Sequence, residues 1–454
     1  MRLFFIACTI ATVAVGQETI VIRAGRLIDG TGSPSRENAV IVVKGDRIES
    51  VGQASNAAVP PGARVIDLSS DTVLPGLING HDHPTVRAFT GPEVDRQGRN
   101  SLIMQLNEMG EPAGTQTIRG VRDLRVDLLS GVTSEYVVGE LHYNDVNLKQ
   151  MIDTGVIPGP RMYSSGPWIM PTSGYDPIPP TDGPWAMRLK VRKNVEAGAH
   201  HIKILLTQGM ATGPSSGRRF AADGANYSKE ELDAVVGEAH RLGAKVTAHA
   251  SDVTSIRMAL EAGCDSIQHA TALTPEMVDL FVKHHAAIVN TYAATMQTYF
   301  TPKDFHFLDT EAGSPADWID HSRRLISRVV DENPPSRFTN KPMQQSLKER
   351  YVQLQMARDR GIPIAVGTDN MQGLLNIDVD HLVDAGFTPL QAISAATGVG
   401  AKALGLDAEV GTIEKGKFAD IISVKGRPDQ NIRELDKVHF VMVGGREFTG
   451  LSFR

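Results

Sequence analysis

The chain has 454 residues, 41% of them hydrophobic, and a formal net charge of −6. Such a length exceeds a usual single domain and suits one barrel of up to about 400 residues with a small companion domain. The mild negative balance and the lack of any long basic run exclude nucleic acid as the main partner, since Arg218-Arg219 and Arg323-Arg324 are only short pairs.

Residues 1–16 read as a secretory signal. Arg2 supplies the charge, Leu3 to Val15 the apolar run, and Ala14-Val15-Gly16 a small-x-small cleavage site before Gln17. Export to the periplasm or beyond the cell is therefore expected, and the run is too short to span a membrane. Cys8 falls inside this segment, which leaves Cys264 alone in the mature chain. A single thiol forms no internal disulfide, so stability has to come from packing.

From residue 17 to 75, short alternating strands (Thr19 to Arg23, Ala39 to Val43, Arg47 to Val51) are separated by Asp29-Gly30-Thr31-Gly32 and Lys44-Gly45-Asp46. The same texture returns in residues 406–454, at Ala419 to Val424 and Val438 to Gly445. A β-sandwich domain built from both chain ends is predicted. Between them, over residues 76–405, short apolar strands alternate with helical stretches, which predicts a parallel sheet with crossover helices. Eight strands are expected: Leu77 to His83, Val132 to Val138, Arg161 to Ser165, His201 to Leu206, Lys245 to Ala250, Ser266 to Ala270, Ala287 to Tyr292 and Pro363 to Asp369. Eight is the number that closes an α/β barrel of the (β/α)8, TIM-like kind. Capping boxes at Ser228-Lys229-Glu230-Glu231 and Thr388-Pro389-Leu390-Gln391 mark two helix starts. The first of these helices should bury Leu232, Val235, Val236, Ala239 and Leu242. Residues 300–345, rich in Pro, Asp and Arg, exceed what a barrel connection needs and read as an insertion, either a lid or the contact of a homo-oligomer.

Active-site residues of such barrels sit at the C-terminal strand ends. Here those ends carry His81 and His83, whose i, i+2 spacing turns both imidazoles to one side and Asp82 to the other. Further on come Lys203, set among apolar residues, then His249, His269 and Asp369. Taken singly, the histidines could be satisfied core residues, Asp369 a helix cap and Lys203 a snorkelling side chain. Five strands ending in metal-compatible groups point together to a metal site.

Leu74-Pro75-Gly76-Leu77-Ile78-Asn79-Gly80-His81-Asp82-His83, the Lys203 strand, His249, His269, Gly367-Thr368-Asp369 and the tail Gly411 to Asp420 together resemble the metal-dependent amidohydrolase superfamily. Ile157-Pro158-Gly159-Pro160-Arg161 and Ala385 to Ala392 are similar to its imidazolonepropionase-like branch, with Xaa-Pro dipeptidases (prolidases) and ochratoxinase-like hydrolases. The resemblance implies two divalent metal ions, most often zinc. His81, His83 and Asp369 would hold the more buried ion, His249 and His269 the other, and Lys203 would bridge them as N6-carboxylysine. A lysine whose pKa is lowered by burial can form that carbamate. Hydroxide shared by the metals would attack a carbonyl, with Asp369 as general base and then acid.

The chain departs from the pattern around the substrate. Thr172-Ser173-Gly174-Tyr175-Asp176 replaces a Gly-Gly-His-Gly stretch, Tyr136-Val137 an Arg-Asp pair, and Ser251 a second histidine behind His249. Candidate substrate contacts are Tyr175, His142, Arg218, Arg219, Tyr227 and Tyr292, the arginines as a fork for a substrate carboxylate. The expected activity is hydrolysis of a peptide-type amide in a small molecule, as a dipeptidase, a carboxypeptidase or an N-acyl amino acid hydrolase. Alternatives are a mononuclear cyclic-amide hydrolase or deaminase, and a non-catalytic periplasmic binding or scaffold protein.

Overall fold

A computed structural model describes residues 18–55, 60–86, 110–172, 179–207, 225–297, 299, 314–336 and 339–448. The signal segment, Tyr175, Arg218, Arg219 and the first part of the insertion lie outside the described residues.

At the start of the chain, β1 (Thr19–Leu27), β2 (Arg36–Lys44), β3 (Arg47–Gln53) and β4 (Arg64–Pro75) form a sheet. Alternation decides its faces. Ile20, Ile22 and Ala24 point to one side, where they pack on Ile41, Val43 and Ile48, and Val21 points to the other with Val40 and Val42.

After β4 the chain enters eight parallel strands: β5 (Leu77–Asp82), β6 (Val132–Val137), β7 (Arg161–Tyr163), β8 (His201–Leu205), β9 (Lys245–Ala250), β10 (Ser266–His269), β11 (Ala287–Asn290) and β12 (Ile364–Val366). They pair in the orders β5-β6-β7 and β12-β11-β10-β9-β8. Two parallel bridges join the groups, Ile169 with Ile204 and Asp82 with Asp369. The second seam is made by the backbone of the candidate ligands: His83 N–H donates to the Asp369 carbonyl at 2.9 Å, and Asp369 N–H to that of His81 at 2.8 Å. Each of the eight stretches expected from the sequence contains a strand, but several end early. Tyr292, placed by the sequence on a strand, opens the short helix Tyr292–Gln297.

The last strands, β13 (Ile421–Val424), β14 (Val438–Val443) and β15 (Arg446–Glu447), return to the first sheet, giving the order β15-β14-β13-β4-β1-β2-β3. Both chain ends thus share one seven-stranded sheet, with β4 central to it and leading directly into β5.

Helices cover the parallel strands because one face of each is apolar. Lys229–Arg241 begins with a complete capping box, Ser228 and Glu231 each accepting from the other's backbone N–H. It buries Leu232, Val235, Val236 and Ala239, while Leu242 caps its end and is only partly covered. The capping box at Thr388 is also formed. Cys264 is buried in the same core, and burial pushes its thiol far above the usual range.

In the described part of the insertion, Pro315–Glu332 forms a helix whose Trp318, Ile319, Leu325 and Val329 pack with Met343 and Leu347 of the helix Met343–Asp359. Arg323 ties it down by ion pairs to Asp380 and Asp436. Among the described residues no helix is long and apolar enough to cross a membrane.

Gly367 lies where β12 passes β5, and a Cβ there would stand 2.5 Å from the His81 backbone nitrogen. Backbone cannot yield as a side-chain tip does. Gly367→Ala is therefore expected to destabilise the fold by about 3 kcal/mol or more, read as a fall in denaturation midpoint; an unchanged midpoint would contradict this approach.

Candidate metal centre

The strand ends bring the sequence-derived residues to one mouth. His81 and His83 Nε2 lie 3.7 and 3.6 Å from Asp369 Oδ1. The His269 ring centroid is 4.7 Å from that of His81 and 4.6 Å from that of His249. Ligand atoms of His81, His269 and Asp369 all fall within 4.8 Å of one another. Lys203 is 1% exposed, and its charge acts on all four imidazoles and on Asp369.

Supporting groups fix which ring nitrogen faces the mouth. His81 Nδ1 donates to Gln268 Oε1 and His83 Nδ1 to the Gly139 carbonyl, both at 2.7 Å; His269 Nδ1 shares a 2.6 Å hydrogen bond with Thr291 Oγ1. Each bond leaves Nε2 free to ligate, the usual arrangement behind metal-bound histidine. Gln268 is itself held, donating to Thr247 Oγ1 at 2.7 Å.

Two of the six residues sit on strained backbone. His269 has φ +69°, followed by Ala270 at +46°, and Asp369 has φ +65°. Side chains other than glycine seldom adopt this region unless the surroundings impose it. Around His269 the imposing group is Arg350, which donates to the His269 carbonyl (2.9 Å), the Ala270 carbonyl (2.6 Å) and Asn290 Oδ1 (2.8 Å).

Burial, followed by the Lys203 charge, holds the His83 and His249 imidazoles down at about 3. The same two causes push His81 well below its ordinary value; at His269, burial and the adjoining His249 come first. All four are thus neutral, the form that binds metal. Burial lowers Lys203 against the attraction of Asp369, and burial raises Asp369 against the attraction of Lys203. A nitrogen and oxygen donor set with neutral imidazoles suits zinc. The 3.6–3.7 Å between His Nε2 and Asp369 Oδ1 is close to the ~3.4 Å separating two ligands of a tetrahedral ion at about 2.1 Å. These residues fit the implied metals.

The other candidates are placed differently. His142 is exposed on the turn Leu141–Tyr143, with φ +58°. Tyr227 packs in the barrel wall, its hydroxyl donating to the Ile169 carbonyl. Tyr292 stacks on His381 with ring centroids 3.7 Å apart. Sequence reasoning missed Gln268, Thr291, Arg350 and Trp168, whose ring lies 5.3 Å from that of His83. Gln268 adjoins a ligand and was within reach of the strand-end reading; Arg350 gave no local signal.

Glu140 follows the Gly139 carbonyl that orients His83. Burial drives its carboxyl up to about 8, against hydrogen bonds from the Thr85 hydroxyl and N–H. A carboxyl raised on folding contributes stability that is fully present below its unfolded value and lost as pH climbs through the folded one. Glu140 should therefore contribute a loss of stability from pH 5 to 8 approaching about 1.4 kcal/mol per pH unit, against the opposite contribution of the buried neutral imidazoles, and the Glu140→Gln profile should lack that fall relative to the parent. Parallel denaturation profiles for the two proteins would refute this assignment.

A parallel α/β strand set with imidazoles, a carboxylate and a buried lysine at one end defines a hydrolase with the means to bind metal. The chain belongs to the Amidohydrolase family, whose model matches residues 72–448, and acts on amide C–N bonds. It is 27% identical over 466 residues to ochratoxinase of Aspergillus niger, covering 95% of this chain and 86% of that protein. Imidazolonepropionase of Pseudomonas savastanoi pv. phaseolicola is 22% identical over 436 residues, covering 93% of this chain and 92% of that one. Among solved structures, a Xaa-Pro dipeptidase with bound methionine in the active site superposes with a TM-score of 0.72 at 25% identity, covering 95% of this chain and 100% of that chain.

Proposed function

We propose that the chain is an exported binuclear metallohydrolase that cleaves the C-terminal amide of a dipeptide or of an N-acyl amino acid. The observation that carries the proposal is the convergence of His81, His83, His249, His269 and Asp369 around a buried Lys203. The similarity to a Xaa-Pro dipeptidase supports a dipeptide-like substrate, whose free carboxylate lies beside the scissile bond. In this reading a (β/α)8 barrel at residues 76–405 carries a β-sandwich assembled from 17–75 and 406–454.

His81, His83 and Asp369 would hold one zinc ion, His249 and His269 a second, and Lys203, as N6-carboxylysine, both. When bound, the ions polarise the substrate carbonyl and acidify water. The chain supplies the rest. Burial makes the Lys203 amine neutral enough to carboxylate. Gln268, Thr291 and the Gly139 carbonyl hold the imidazoles in the ligating tautomer. The second oxygen of Asp369, Oδ2, which Oδ1 as ligand leaves available, takes the proton of the attacking water and delivers it to the leaving amine. Trp168, beside His83, keeps one side of the mouth apolar.

Screening dipeptides and N-acyl amino acids with zinc-loaded protein tests the reading. Turnover of substrates with a free C-terminal carboxylate, and little of their amidated forms, is expected. Turnover confined to cyclic amides, or one ion per chain in fully active protein, would overturn it. For export, a secreted product beginning at Gln17 is the expected finding, and an uncleaved cytosolic chain the contrary one.

A further inference from the structure

On the outer side of β5, directly behind His81 and His83, three carboxylates converge. Asp82 at the end of β5, Asp127 on the helix Ala113–Leu129 and Glu135 on β6 each present an oxygen within 4.8 Å of the others, and all three are wholly shielded from solvent. They come from three separate elements, so the fold itself sets their meeting point. One oxygen of Asp82 and one of Asp127 are steered by neighbours. Gln372 Nε2 donates to Asp82 Oδ1 at 3.1 Å and to the His83 carbonyl at 3.2 Å, and Gly373 N–H donates to Asp127 Oδ1 at 2.7 Å.

Glu135 is the independent sign of a ligand. It is fully buried, aimed into the cluster, and neither of its carboxylate oxygens has a hydrogen-bond partner; Asp82 Oδ2 also has none. Asn79 adjoins Glu135 but donates to Thr368 Oγ1 at 2.8 Å and reaches neither oxygen in hydrogen-bond geometry. Buried polar groups are ordinarily paired, and buried charges are paired or coordinate a cation. Burial, then the charges of Asp127 and Asp82, raise the Glu135 carboxyl far above its usual range, a tension that a cation relieves.

We propose that Asp82, Asp127 and Glu135 bind one calcium ion at a site separate from the catalytic centre. The donors are oxygen only, which selects a hard cation over zinc. Calcium–oxygen bonds of about 2.3–2.6 Å give a shell roughly 4.6–5.2 Å across, into which oxygens no more than 4.8 Å apart fit. Magnesium dehydrates reluctantly and usually keeps several waters, which suits it less to carboxylates that are wholly shielded from solvent. Asp82 lies between two catalytic ligands, while Gln372 and Gly373 follow Asp369. The ion therefore braces both ligand-bearing segments from behind.

The test uses the full zinc-loaded chain dialysed against Ca²⁺ alone, with Mg²⁺ in a parallel arm, followed by elemental analysis and thermal denaturation. About one calcium per chain beyond the zinc and a raised denaturation midpoint are expected. Glu135→Gln should lose at least about tenfold in calcium affinity while keeping its zinc, and His249→Ala should lose zinc while keeping calcium. No calcium uptake by the parent, uptake equal in parent and Glu135→Gln, or uptake of magnesium in preference would overturn the proposal. Should Glu135→Gln not fold, Asp82→Asn and the stoichiometry of the parent decide it. Zinc content and hydrolysis are read separately, so failure here is distinct from failure of the catalytic reading.

Discussion

Lys203→Ala is expected to lower kcat/KM by roughly 10²–10³-fold or more and to reduce bound zinc from about two ions to about one per chain. The side chain is almost wholly shielded, and the Lys203 charge reaches each imidazole and Asp369. The fold should survive, because the change removes a cation from a position where burial already disfavours its charge. Metal counting and steady-state kinetics on the same preparation check the expectation. Two retained ions with retained activity would remove the bridging role and leave Lys203 a packing residue.

Arg350→Met is expected to weaken metal binding at His249 and His269 by about 10–100-fold. The guanidinium is the donor to four oxygens, two of them carbonyls of the strained His269-Ala270 turn. Without it, that turn can relax towards ordinary backbone angles and swing the His269 ring away. Arg350→Lys should recover little, since an ammonium cannot reproduce the planar fork. Part of the loss will be general, as stranded buried carbonyls cost about 1–3 kcal/mol each. The separating measurement is a zinc titration set beside the melting of metal-free protein: a purely structural arginine would lower the melt and leave zinc affinity intact.

The strand ends are legible in the sequence because a barrel writes its chemistry at a repeated place. Apolar runs stop at His81, His249, His269 and Asp369, another encloses Lys203, and each run contains a strand. Helix starts at Ser228 and Thr388 are legible because a capping box is a local device whose partners lie three residues apart. What escapes is anything set by distant contact. Arg350 serves carbonyls 80 and 81 residues away, and in Lys348-Glu349-Arg350-Tyr351 it looks like any helix-surface arginine. Asp127 and Glu135 also read as ordinary polar positions. Strands covered on both faces lose the alternation that would mark an inward acid, so nothing in Val132 to Val137 announces that Glu135 is buried. Tyr227 and Tyr292 illustrate the converse: an aromatic near a strand end is as readily wall as mouth.

The seam between the first and last barrel strands has a consequence for how the enzyme matures. Its backbone bonds run between His81 or His83 and Asp369, so the residues proposed to grip an ion are the same ones that complete the cylinder. Charging the enzyme with zinc and latching its last joint should then be one cooperative event. Amide protons at His83 and Asp369 are expected to exchange with solvent far faster in chelator-treated protein than those of β9 or β10, making trace-metal supply a gate on proteolytic survival as well as on turnover.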